Sequence, residues 1–188
     1  MQIAKSVLRS TLAVLLVAGT ASAWGTAEEA SSRKGFAQPE ERPVTAELIT
    51  EHASIQPGGA TRVGVHFDLA EGWHIYAKEP GDAGLPTQIA WSGAAGTTFG
   101  ELQWPAPQAF VDPGDIRTFG YNGTTVLSST VTIGMTAATS TPIHAKVSWL
   151  ACKEVCIPGK TDLELLLPVS SKPQVPSTHS EFFAHTNG

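Results

Sequence analysis

The sequence predicts one all-β domain, an antiparallel β-sandwich of immunoglobulin-like architecture, over residues 44–169. Three observations carry that expectation. From Val44 onward, short apolar alternations of period two are separated by turn-forming residues, which is the pattern of half-buried strands. No window sustains an apolar period of 3.6, and 18 glycines with 13 prolines work against long helices. The strand candidates number about eight or nine, which suits two packed sheets. The Cys…Trp…Cys spacing of antibody domains does not occur in the sequence.

Taken in order, residues 1–23 read as a secretory signal. Lys5 and Arg9 make a positive start, 12–18 a short apolar core, and Ala21-Ser22-Ala23 a small-x-small cleavage site. That core is too short for a bilayer, which needs about 20 residues, and no later segment is apolar enough, so no membrane insertion is expected. Cleavage leaves a mature chain starting at Trp24 in an oxidising compartment such as a bacterial periplasm. Residues 24–43 are polar and aperiodic and read as a flexible N-terminal segment.

Within the domain, Ala46, Leu48 and Thr50 share one side of a first strand, followed by the turn Gln56-Pro57-Gly58-Gly59. Val63, Val65 and Phe67 then alternate with Arg62, Gly64 and His66. Further strands are predicted over 73–76, 87–91, 99–104, 124–133, 143–150 and 162–169. Residues 170–188 are polar and read as a loose C-terminal tail in which Phe182 and Phe183 are the side chains able to dock. Residues 78–86 and 111–123 read as loops rich in glycine and proline. The second carries Phe119 and Tyr121, which suit either a mobile apolar lid or the edge of the core.

The formal net charge is −5, and removal of the signal takes away two cations and no anion. An acidic surface argues against sequence-independent nucleic-acid binding, which requires basic residues. With 41% hydrophobic residues the mature chain can bury a normal core. It does not need disulfides to fold, as a very small exported domain would.

Chemistry concentrates in Cys152-Lys153-Glu154-Val155-Cys156, which holds the only two cysteines. Four steps of extended strand span about 13 Å, whereas a disulfide wants its Cα atoms about 4.4–6.8 Å apart. The chain must therefore turn through Lys153-Glu154-Val155 if the two are to bond. A ring this small restricts the unfolded chain little, so it is a weak staple. An exposed small ring suits reversible exchange, in which a partner thiolate forms a mixed disulfide that the freed cysteine resolves. Lys153 and Glu154 read as solvated charges. Two other uses remain open: a non-catalytic binding module with a structural disulfide, and a copper(I) carrier in which His66, His74 or His144 joins the thiols. With only 2 methionines, a copper-handling Met cluster is absent from the sequence.

The order Gly72-Trp73-His74-Ile75-Tyr76, Pro80-Gly81-Asp82-Ala83-Gly84-Leu85-Pro86 and Trp91 resembles the N-terminal periplasmic domain of the DsbD/ScsB thiol:disulfide interchange family. Phe119-Gly120-Tyr121-Asn122-Gly123 and Cys152 through Gly159 follow in the same order, so the resemblance covers roughly 44–169. It implies an immunoglobulin-like sandwich acting as a thiol:disulfide oxidoreductase, with Cys152 and Cys156 as the redox pair and no cofactor or metal. It also implies a thioredoxin-like electron donor protein, a disulfide-containing periplasmic substrate protein, and an aromatic cap loop. Phe119 is the first candidate for the cap and Tyr121 the second. In the family this domain usually precedes a membrane electron channel and a thioredoxin-like domain. The sequence ends at Gly188 with neither, so a stand-alone copy served by another protein is expected. The spacing of three residues between the cysteines matches the ScsB-like branch.

Overall fold

The computed structural model describes residues 42–184 apart from 113 and 137. The expected signal at 1–23, nearly all of the lead-in at 24–43, and 185–188 lie outside the described residues.

Ten strands are described: β1 Val44–Thr50, β2 Ala60–Leu69, β3 His74–Gly81, β4 Gln88–Gly93, β5 Thr98–Phe99, β6 Gln108–Asp112, β7 Ile116–Asn122, β8 Thr124–Thr132, β9 Ser140–Cys152 and β10 Cys156–Pro168. They form an immunoglobulin-like antiparallel sandwich. One sheet has the order β1-β2-β8-β5, and the other β10-β9-β3-β7-β6, with β4 pairing β9 off that path. β3 meets β9 only at His74 and Ile75, after which β4 takes over from Gln88 to Gly93. The alternation read at Val63, Val65 and Phe67 is the inward face of β2, and all three are fully buried. They pack with Leu127 and Val131 of β8 against Ile75, Tyr121, Ile143 and Ala151 of the other sheet. Each such aliphatic side chain contributes about 1.5–3 kcal/mol by leaving water. Phe67 meets Trp149 edge-on, ring centroids 5.8 Å apart, and ties the two layers together near the cysteines.

Three expectations need correction. The stretch 111–123 is not one continuous loop: most of it belongs to the β6–β7 hairpin, in register from Gln108↔Gly120 to Asp112↔Ile116. At the tip Gly114 and Asp115 take positive φ of 93° and 60°, and Gly123 does so at the other end of β7. The strand expected over 99–104 shrinks to Thr98–Phe99 plus an isolated bridge between Gln103 and Ser128. Residues 171–184 are not loose. Ala53 N–H donates to Val175 O at 3.0 Å and Ser177 N–H to Glu51 O at 2.9 Å, and a 3-10 turn, Ser180–Phe183, follows.

That turn drives Phe183, fully buried, onto the outer face of the first sheet with Ile49 and Val126. Gly64 makes room, since a Cβ there would come within 3.2 Å of the Phe183 ring. Arg62 locks the arrangement. Its Nη1 donates to Phe183 O at 2.8 Å, its Nη2 pairs with Glu51 Oε1 at 2.6 Å, and its guanidinium sits 5.3 Å from the Phe183 ring centroid. Hydrogen bonds from Arg62 hold the Glu51 carboxyl below the usual carboxylate range.

Candidate functional site

β9 and β10 are each 13 residues long and pair without a break from Ser140↔Pro168 to Cys152↔Cys156. The cysteines close the ladder, and Lys153-Glu154-Val155 makes the turn, with Lys153 N–H donating to Val155 O at 3.1 Å. The two sulfurs are bonded, with a Cα separation of 4.1 Å. β10 is the outermost strand of its sheet, which lets Pro158 sit in it without a lost ladder bond. Gly159 is required for packing, because a methyl there would run into the Trp149 indole. The Lys153 ammonium donates to Glu71 O at 3.2 Å and ties the tip to the turn before β3.

The two cysteines differ in surroundings. Cys152 is buried, with 3% of its surface exposed, while Cys156 is exposed. Cys156 is flanked by Val155 and Ile157, which are also exposed, so an apolar rim surrounds it.

Behind Cys152 lies His74, its direct partner on the β3–β9 ladder, and beyond His74 lies Asn122 on β7. Ile75, Ala151 and Tyr121, one step along each strand, point into the core. His74, Cys152 and Asn122 therefore share the opposite face. The His74 ring is buried, stacked on Phe110 at 4.6 Å and 14°, and edge-on to Tyr76 at 5.1 Å. Gly120 lets β7 approach β3 closely beside this cluster, where a methyl would meet the Ile75 carbonyl.

The two cap candidates have different surroundings. Phe119 is 39% exposed and pairs with Ala109 toward the β6–β7 tip, where its ring edge approaches Gly81. Tyr121 packs at the core, the second of the two readings open to it from sequence: it is 4% exposed and its hydroxyl donates to Pro105 O at 2.9 Å. Burial pushes its phenol up to about 12. Sequence reasoning missed Phe110, although Gln108-Ala109-Phe110-Val111 between Pro107 and Pro113 is a short strand signal bounded by turn residues. Of the three histidines considered as copper ligands, His74 adjoins Cys152. His66 lies under Phe182 on the other sheet, and His144 lies 3.9 Å from Glu164. Among the described residues, no group of three or more His, Cys, Asp or Glu is placed to hold a metal ion. No helix among them is long and apolar enough to cross a membrane.

Among solved structures, the N-terminal periplasmic domain of ScsB from Proteus mirabilis matches with a TM-score of 0.57 and 21% identity. The match covers 79% of this chain and 56% of that one, so the chain spans little over half of that domain, and the likeness is one of fold. The reduced DsbD N-terminal domain of Neisseria meningitidis gives a TM-score of 0.34 and 19% identity, covering 69% of this chain and 90% of that one. The complex between the DsbD N-terminal and PilB N-terminal domains of the same organism gives 0.40 and 15%, covering 76% and 95%. No curated protein matches the chain. The family described as thiol:disulfide interchange protein DsbD, N-terminal, matches residues 41–168, and with two sheets and a bonded cysteine pair inside that span the chain belongs to this family.

Proposed function

We propose that the protein is a periplasmic thiol–disulfide exchange protein, passing electrons between protein partners through Cys152 and Cys156. The observation that carries this reading is the asymmetry of the pair, one sulfur-bearing residue exposed and the other buried. Access decides which sulfur a thiolate attacks, and here it selects Cys156. A thiolate of a thioredoxin-like donor bonds to Cys156 Sγ, the Cys152–Cys156 bond breaks, and its electron pair stays on Cys152 Sγ. The donor's second thiolate attacks the donor sulfur of the mixed disulfide, expelling Cys156 and leaving the donor oxidised. Cys156 then attacks a disulfide of a periplasmic substrate protein, and Cys152 closes back onto Cys156, releasing the substrate reduced by two electrons.

Val155 and Ile157 offer the partner a dry contact around the attacked sulfur. Phe119, the exposed aromatic of β7, is the proposed shield when no partner is docked. Oxidised protein mixed with a thioredoxin that lacks its resolving cysteine should give a covalent adduct of both masses, with peptide mapping placing the bond at Cys156. A bond mapped to Cys152, or a disulfide indifferent to thioredoxin, would overturn the reading.

A further inference from the structure

We propose that His74 stabilises the Cys152 thiolate released when a partner takes Cys156, and that Phe110 holds the imidazole in place for that purpose. The inference deepens the exchange reading above and rests on it. His74 stands directly opposite Cys152 on the β3–β9 ladder and on the same face of the sheet. Opposed residues of an antiparallel pair have Cβ atoms about 4.5–5.5 Å apart, which makes the imidazole and the sulfur cross-strand neighbours.

The need for such a group follows from burial. Cys152 has 3% of its surface exposed and His74 5%, so little water is available to solvate a thiolate there. A departing thiolate leaves faster when its charge is stabilised, and a neighbouring imidazolium is one of the standard ways to stabilise it. Lys153 is the nearest cation in sequence, but its ammonium is directed to the Glu71 carbonyl. The groups facing His74 are Tyr76 from its own strand, Phe110 from β6, Asn122 from β7 and Cys152 from β9. Of these, Tyr76 carries a phenol, and Cys152 carries a thiol once the disulfide is opened. The near-parallel Phe110 ring at 4.6 Å and the Tyr76 edge at 5.1 Å fix the plane of the imidazole.

In the step itself, the partner sulfur bonds to Cys156 Sγ and the Sγ–Sγ bond breaks. The electron pair settles on Cys152 Sγ, which accepts a hydrogen bond or the proton from protonated His74. When Cys152 later attacks Cys156 to close the ring, that proton returns to the imidazole.

The test uses Cys156→Ala, in which Cys152 is the sole thiol, and follows thiolate absorbance against pH. Adding His74→Phe should raise the Cys152 midpoint by at least about one pH unit, the size expected for loss of a neighbouring opposite charge. His74→Gln, which keeps a donor but no charge, should raise it by less. Equal midpoints in the three proteins would overturn the proposal. Because His74 is buried, a second measurement leaves it intact: its imidazole NMR signals in Cys156→Ala should show an inflection at the Cys152 midpoint that the oxidised wild-type protein lacks. Identical His74 curves in the two proteins overturn it equally. Neither measurement involves a partner, so absent coupling sinks the role of His74 alone, whereas a disulfide indifferent to thioredoxin sinks the exchange reading.

Discussion

Cys152 and Cys156 close the same ladder four residues apart, yet one is buried and the other exposed. Spacing alone revealed a small ring and the turn that closes it. It did not reveal which sulfur faces water, because that is set by β3, a strand almost eighty residues earlier in the chain. The same limit applies to Tyr121, whose glycine-rich neighbourhood left both a lid and the core edge open. Its ring is in the core, with the hydroxyl bonded to Pro105 O. Burial disfavours the phenolate and raises the group to about 12 from an ordinary value near 10. The folded state thus holds this proton more tightly than the unfolded chain. The associated stability is complete below pH about 10 and is lost as pH climbs through about 12. Tyr121→Phe should therefore show a shallower alkaline loss of stability than the wild type in urea unfolding. At neutral pH it should lose about 1 kcal/mol with the missing hydrogen bond. Equal alkaline slopes would count against this account of Tyr121.

At the scale of elements, strands with clean alternation were legible: β2 matched its expected inward residues, and β9 and β10 extend the runs read at 143–150 and 162–169. β6 and β7 were not, because Gly114 and Asp115 at their tip, with Gly120 and Gly123, carry the composition of a loop. What makes them strands is long-range pairing, β7 with β3 and β6 with β7, which local propensity does not encode. The C-terminal segment escaped for a similar reason. Two phenylalanines in a polar stretch say that something is buried, and only the sheet face at Ile49, Gly64 and Val126 says where. Phe183→Ala should cost about 3–5 kcal/mol, as expected for emptying a buried phenylalanine site, and should raise hydrogen exchange at Ile49. A loss under about 1 kcal/mol would mean that the segment contributes little to stability. Acid should weaken the same strap. The Glu51 carboxyl is depressed by Arg62, so its contribution is present above the unfolded carboxylate value and is lost as pH falls through the lower folded value.

In the molecule as a whole, the strap and the cysteines occupy the outer faces of different sheets, with the shared core between them. The fold can therefore keep its stability in one place and its chemistry in another. The β9–β10 hairpin is held by its long register and by Trp149 against Phe67, in addition to the sulfur bond. The disulfide closes a ring of only five residues, and loop-closure entropy assigns such a ring about 2 kcal/mol. Reduction should accordingly lower unfolding free energy by no more than about 2 kcal/mol, leave the circular dichroism of the sandwich unchanged, and be reversible on reoxidation. Cys152→Ser with Cys156→Ser should behave like the reduced protein. Denaturant unfolding of the oxidised, reduced and double-serine forms side by side decides the matter. If the bond were a structural staple, the reduced and serine forms would both be unfolded or would lose far more than the ring entropy. If it opens and closes during work, the sandwich must tolerate both states, and the small ring on a long, independently held hairpin is what makes that tolerance possible.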